Sequence, residues 1–223
     1  MENKTEFKPF FKNLNRKEYV EKVSQIISAE GVEAVSIRRL ARELDCSTAS
    51  MYRYFRNLDE LLYYAQLSAL NNYIMELSKA EKTWKNVIEC HLGIWELYAK
   101  EAFKNPKAFE CIFYKNINND LGDALKEYYE MFPDTIVHVS DFLKNMLEIT
   151  EYFARDYYVL TKLVNEGILT EDNAVKLNHT ECLLFLGYFK MVQSGTSKQY
   201  NSDLIAEDFI RKLKDLLEMY RIK

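Results

Sequence analysis

The sequence predicts an all-α protein in two parts, a small helix-turn-helix domain over residues 1–60 and a larger helical domain over 61–223. Three observations predict it. Gly (6) and Pro (3) are scarce among 223 residues, so little interrupts long stretches of good helix formers. Apolar residues recur at three- and four-residue spacing. No segment alternates apolar and polar residues cleanly, as a half-buried strand would. With 48% hydrophobic and 14% aromatic residues, there is ample material for a packed core, which sets disorder aside.

The elements follow from local signals. Over Arg16 to Glu30, Tyr19, Val20, Val23, Ile26 and Ile27 fall on one helical face, and Gly31 stops the helix. Ser36 is an N-cap for a short helix from Ile37 to Leu44. Asp45 tolerates a left-handed turn better than most residues. Ser47 or Thr48 then opens a third short helix ending near Phe55, and Asn57 or Leu58 opens a fourth running to about Ser78. Thr83 caps a helix to about Phe103, and Asn105-Pro106 starts the next. Further helices are expected over Asp120 to Met131, Asp134 to Leu147 and Thr150 to Glu166, with Pro133 and Gly167 as breaks. The last two run from Thr170 to Gly195 and, capped by Ser202, to about Tyr220.

The formal net charge is -4, so any nucleic-acid contact must be local rather than spread over the protein. Residues 1–60 carry a net +1 and the rest -5. From Ser36 to Arg56 five arginines face only Glu43 and Asp45, a small basic excess in one segment. Cys46, Cys90, Cys111 and Cys182 are dispersed, as reduced thiols of a cytoplasmic protein would be. Lys4, Lys8 and Lys12 are not followed by an apolar stretch of signal-peptide length, and no 18-residue apolar run exists to span a membrane.

The informative stretch is Ser36 to Leu62, SIRRLARELDCSTASMYRYFRNLDELL. Two short helices joined by a tight turn have DNA-binding geometry. Leu40, Leu44, Met51 and Phe55 can close a small core between them, which leaves Thr48, Ala49, Tyr52 and Arg53 outward. Small residues at the start admit the helix to the major groove. Hydroxyls, arginine and backbone N–H groups then reach phosphates or base edges.

This stretch resembles the tetracycline-repressor (TetR) family of transcriptional regulators. The resemblance rests on Ser36, Ala41 and Ser47, on Met51-Tyr52-Arg53-Tyr54-Phe55, and on Leu58, Asp59, Glu60 and Leu61. It is detailed over Arg16 to Leu62, and looser at Lys104 to Phe109 and Leu163 to Leu169. It implies that Ser36, Ser47 and Tyr52 hold phosphates, that Thr48, Ala49 and Arg53 face base edges, and that Tyr54 contacts the DNA backbone or braces the helix. Two positions depart from the pattern. Asp45 stands where the family usually has glycine, and Leu58 where a lysine usually grips a phosphate, a role for which Arg56 is the expected substitute.

The resemblance also implies that the larger part senses a small molecule and dimerises. Its aromatic stripes suit an apolar or aromatic effector, with Trp95, Tyr98, Phe113 and Phe142 as the expected walls. His91, His138 and His179 share no metal-ligand spacing, so no metal is expected. No cofactor loop or catalytic motif is present, which leaves an enzyme reading without support. The last two helices are the expected homodimer interface. One carries Leu183, Leu184, Leu186, Gly187, Phe189 and Met191, and the other a stripe of Ile205, Phe209, Leu213, Leu216, Leu217 and Tyr220. The resulting expectation is a ligand-responsive repressor binding a palindromic operator in double-stranded DNA. The alternative is a helical binding protein with a vestigial helix-turn-helix.

Overall fold

The computed structural model describes residues 14–113, 121–136, 138–149, 151–195 and 201–222. Lys4, Lys8 and Lys12 and the expected helix starts at Asp120 and Thr150 lie outside these residues. The described residues are helical with no strand. The α-helices are α1 (Arg16–Glu30), α2 (Ile37–Glu43), α3 (Leu58–Ala80), α4 (Val87–Lys104), α5 (Pro106–Phe113), α6 (Leu121–Met131), α7 (Asp141–Glu148), α8 (Tyr152–Asn165), α9 (Glu171–Gln193) and α10 (Ser202–Tyr220). The chain divides into two compact units, the first ending at Gln66 and the second beginning at Leu67.

In the first unit, α1 starts at a capping box. Asn15 accepts from the Glu18 N–H, and the Glu18 carboxylate accepts from the Asn15 N–H. Gly31, at φ +88°, ends the helix by donating to the Ile27 carbonyl. Ser36 caps α2 by accepting from the Arg39 N–H at 3.3 Å. Tyr19, Val20, Val23 and Ile26 of α1 are buried, as are Leu40, Met51, Phe55, Leu61 and Tyr64. Leu44 is only partly buried. Each large apolar side chain so buried contributes roughly 1.5–3 kcal/mol.

The expected third α-helix is not formed. Thr48 to Ser50 make a turn, and Met51–Arg53 a 3-10 turn. The cause lies in the Ser47 carbonyl, which accepts both the Ser50 N–H (3.1 Å) and the Ser50 hydroxyl (2.5 Å). A serine that bonds its own neighbourhood in this way competes with the α-helical ladder. Helical pitch is regained only at Phe55, whose N–H reaches the Met51 carbonyl at 3.1 Å.

In the second unit, two helix starts differ from expectation. Asn86, not Thr83, caps α4 by accepting from the Glu89 N–H at 2.9 Å; the Thr83 hydroxyl instead donates to the Ala80 carbonyl at the end of α3. Helix α7 begins at Asp141, not Asp134, because Pro133–Thr135 forms a 3-10 turn and Ser140 provides the cap. Helix α10 packs on α4 and α9, and α8 on α9 and α4. Their shared core is aromatic: Trp95 meets Phe209 (ring centroids 5.5 Å apart), Phe103 stacks on Phe185 (5.5 Å), and Phe185 meets Phe209 (5.8 Å).

This packing corrects the expected dimer stripe on α10. Ile205, Phe209, Leu213 and Leu217 are buried within one chain and are not offered to a partner. Outward apolar residues include Val175, Leu183 and Met191 of α9 and Leu204 and Met219 of α10, with the exposed Gly187 between Leu183 and Met191. No described helix is long and apolar enough to cross a membrane.

Candidate functional site

The segment between α2 and α3 is built on a buried tyrosine. Tyr19 is fully buried, and its hydroxyl lies 2.7 Å from Ser50 Oγ and 3.5 Å from Cys46 Sγ. Because Ser50 gives its own proton to the Ser47 carbonyl, Tyr19 donates to Ser50. Burial pushes the Tyr19 hydroxyl up to about 12. The ring also meets Tyr54 (6.0 Å) and Phe55 (6.3 Å, edge-on). Asp45 is the only non-glycine at positive φ among the described residues, at +50°. Aspartate is one of the few residues that adopt this conformation as single positions, which is how the turn forms without a glycine.

With Met51 and Phe55 anchored inward, Thr48, Ala49, Tyr52 and Arg53 are exposed, and Tyr52 reaches 53%. Ser36 is exposed and Ser47 partly so. The Tyr54 hydroxyl donates to the Leu14 carbonyl at 2.7 Å. Asn57 caps α3 by accepting from the Glu60 N–H at 2.9 Å. The Glu60 carboxylate turns back to the Arg56 N–H (2.6 Å) and stands 3.3 Å from Arg56 Nε. Arg56 is therefore exposed but ion-paired, and Leu58 behind it is half-buried.

Charge separates the arginines of this segment. Arg39 is held by Glu30 (2.5 Å) and Glu43 (2.6 Å), and its hydrogen bonds keep both carboxyls below the usual carboxylate range. Arg38, Arg42 and Arg53 are exposed. Exposed arginines, tyrosine and small residues are the residue types suited to phosphate and base-edge contact.

In the second unit, Trp95 and Tyr98 line a cavity of about 30 Å³ together with Tyr73, Met146, Tyr152, Arg155 and Asp156. The other two expected wall residues are elsewhere. Phe113 packs against Tyr98 (6.0 Å) and under the Arg155 guanidinium (5.1 Å) without lining the cavity. Phe142 stacks on Tyr158 (5.3 Å) beneath Lys162, at a separate polar groove with Glu81, Trp84 and Ser140.

Sequence spacing also missed a buried polar cluster. His91, Asp156 and Glu181 come together from α4, α8 and α9. The Trp95 indole donates to Glu181 Oε1 (3.3 Å), and the Asn178 amide to Asp156 Oδ2 (2.8 Å) and the Phe153 carbonyl (2.9 Å). Burial drives the Asp156 carboxyl well above the carboxylate range, raises Glu181 to about 7 and lowers His91. The available signal was weak: an aspartate and a glutamate on otherwise apolar helix faces.

Comparison with known proteins places these features. Residues 24–65 match the family described as bacterial regulatory proteins, tetR family. An HTH-type transcriptional regulator of Staphylococcus aureus (strain bovine RF122 / ET3-1) is 28% identical over 116 residues, 52% of this chain and 62% of that one. The match therefore spans less than two thirds of that relative's length. A second, from strain USA300, is 24% identical over 142 residues, 60% of this chain and 75% of that one. Among solved structures, a protein of unknown function from Rhodococcus sp. RHA1 is similar with TM-score 0.61 at 13% identity, over 96% of this chain and all of that one. Thermus thermophilus FadR, a TetR-family transcriptional repressor in complex with lauroyl-CoA, is similar with TM-score 0.54 at 13% identity, over 89% of this chain and 93% of that one. At these identities the structural likeness speaks for the fold.

Proposed function

We propose that the chain, whose residues 24–65 match the TetR family of transcriptional regulators, is a ligand-responsive repressor of that kind that binds a palindromic operator as a homodimer. The observation that carries the reading is the exposed set Thr48, Ala49, Tyr52 and Arg53, held outward by the buried Tyr19, Met51 and Phe55, with Arg38 and Arg42 of α2 also exposed. Ser36, Ser47 and Tyr52 are assigned to phosphates, and Thr48, Ala49 and Arg53 to base edges. Tyr54 is assigned to bracing and Arg56 to a phosphate once it leaves Glu60.

The dimer reading is supported by the outward Leu183, Gly187 and Met191 of α9, spaced one turn apart, and by Leu204 of α10. A Cβ added at Gly187 would meet no atom within 4 Å, so this face is open to a partner helix. Two copies would set their recognition segments about 34–36 Å apart, one DNA turn. The effector is assigned to the cavity bounded by Trp95 and Tyr98. Pockets for drug-sized ligands span roughly 300–1,000 Å³, and this one has about 30 Å³. An apolar or aromatic effector must therefore open it, and its preference for the opened state would shift the equilibrium away from DNA binding. Helix α3, with residues in both units, is the assigned lever.

A gel-shift or anisotropy titration on the chain's own promoter region tests the reading. Affinity should fall steeply with salt, and Arg53→Ala should cost about 1–3 kcal/mol. Absence of salt-dependent binding would sink it. The rival, a binding protein with a vestigial helix-turn-helix, draws on one observation: half-buried Leu58 at the usual lysine position. It requires Tyr52→Ala and Arg53→Ala to leave DNA affinity unchanged.

A further inference from the structure

His91, Asp156 and Glu181 lie on three different helices of the second unit, α4, α8 and α9, and share no sequence spacing. His91 and Glu181 have no solvent exposure and Asp156 has 8%. One ligand-capable atom of each lies within 4.8 Å of the others. His91 Nε2 and Glu181 Oε2 are 3.2 Å apart, but they are not aligned as a hydrogen bond. Neither atom has a hydrogen-bond partner, nor has His91 Nδ1. An unsatisfied buried polar atom costs roughly 1–3 kcal/mol, so packing alone does not account for three of them in one place.

We propose that His91, Asp156 and Glu181 form a binding site for a divalent first-row transition-metal ion, with Zn²⁺ as the reference ion. Two ligands about 2.0–2.1 Å from a tetrahedral ion stand about 3.3–3.4 Å apart, close to the 3.2 Å between His91 Nε2 and Glu181 Oε2. Each carboxylate is oriented by a donor on one oxygen, as metal ligands are. Trp95 holds Glu181 Oε1 and leaves Oε2 without a partner, and Asn178 holds Asp156 Oδ2; the two carboxyls also hydrogen-bond one another, so an ion would displace the proton they share.

Charge favours the same assignment. Two buried carboxylates beside a neutral imidazole would be a costly unpaired double charge, and a divalent cation neutralises it. Without an ion, protons must do so, and metal binding would release them. One nitrogen and two oxygens suit Zn²⁺, Co²⁺, Mn²⁺ or Fe²⁺ better than a soft ion. The nearby Cys182 thiol is directed at Asp156 Oδ2, 3.8 Å away. Arg155, a cation on the same cavity, lies over Phe113 and gives its Nε to the Ile149 carbonyl. Packed helices position the ligands more rigidly than loops would. Asp156 also lines the 30 Å³ cavity, and a water needs only about 10–15 Å³, so a water or an effector atom can supply the fourth ligand.

The inference stands apart from the DNA-binding reading, and its test uses no DNA. The full chain is stripped with chelator and titrated with Zn²⁺ by calorimetry, and with Co²⁺ by visible absorption. One ion per chain is expected, with the intense visible bands of four-coordinate Co²⁺. Glu181→Gln keeps the shape of the side chain and removes the charge; it should weaken binding at least about 100-fold, and Trp95→Phe about 10–100-fold through loss of the orienting donor. Circular dichroism checks that the variants fold, and the wild-type Co²⁺ spectrum decides the matter if they do not. Sub-stoichiometric Zn²⁺ binding, an unchanged aqueous Co²⁺ spectrum, or equal affinity in wild type and folded Glu181→Gln would overturn the assignment.

Discussion

The hydroxyls of Tyr19 and Ser50, 2.7 Å apart, should be energetically coupled. Replacing Ser50 with Ala removes its bond to the Ser47 carbonyl and leaves the buried Tyr19 hydroxyl with only Cys46 Sγ at 3.5 Å. A buried hydroxyl deprived of its good acceptor costs roughly 1–3 kcal/mol. The Ser50 N–H still donates to the Ser47 carbonyl in the variant, which keeps the loss toward the low end of that range. The expected net loss is about 1–2 kcal/mol. Tyr19→Phe removes the hydroxyl and leaves Ser50 still donating to Ser47, at a cost of about 0.5–1.5 kcal/mol. The double variant leaves no orphaned group, so its cost should be about 1 kcal/mol less than the sum. Amide hydrogen exchange of Val23 and Ile26 reads the opening of this unit directly, with protection falling about 5–30-fold in Ser50→Ala. If the two changes add to within about 0.3 kcal/mol, the hydroxyl pair does not hold the turn.

Three further outcomes are expected. Asp45→Gly, at φ +50°, should stabilise the first unit by about 0.5–1 kcal/mol because glycine adopts this conformation without a Cβ penalty; an unchanged urea midpoint would count against a strained turn. Leu58→Lys should restore a phosphate contact, steepening the dependence of log affinity on log salt by about 1 unit per chain; an unaltered slope would mean that position 58 does not reach the DNA backbone. Leu183→Glu with Met191→Glu, both exposed, should convert a dimer to monomers in sedimentation while moving protomer stability by less than about 0.5 kcal/mol. A persistent dimer would place the interface elsewhere.

Much of the fold was legible because its signals are local. The stop at Gly31, the caps at Ser36 and Asn57, and the tolerance of Asp45 for a left-handed turn each depend on a residue and its nearest neighbours. So does the outward set Thr48, Ala49, Tyr52 and Arg53, since Met51 and Phe55 are the large apolar residues of the segment and are buried. The conformation of that segment was less legible. Ser50 binds Ser47 locally, but its bond to Tyr19 crosses 31 residues.

By itself, the sequence determined the helical class, the helix-turn-helix and the family resemblance, because periodicity, capping and a short motif are read within a few turns of chain. Tertiary structure decided which faces meet. Packing of α10 on α4 turned the Ile205, Phe209, Leu213 stripe inward and left Leu183 and Met191 outside. It separated Phe113 and Phe142 from the cavity of Trp95 and Tyr98. It also brought His91 to Asp156 and Glu181 across 65 and 90 positions. An amphipathic stripe records that a face is apolar and not what covers it; burial, desolvation and ligand geometry arise only when distant helices pack together.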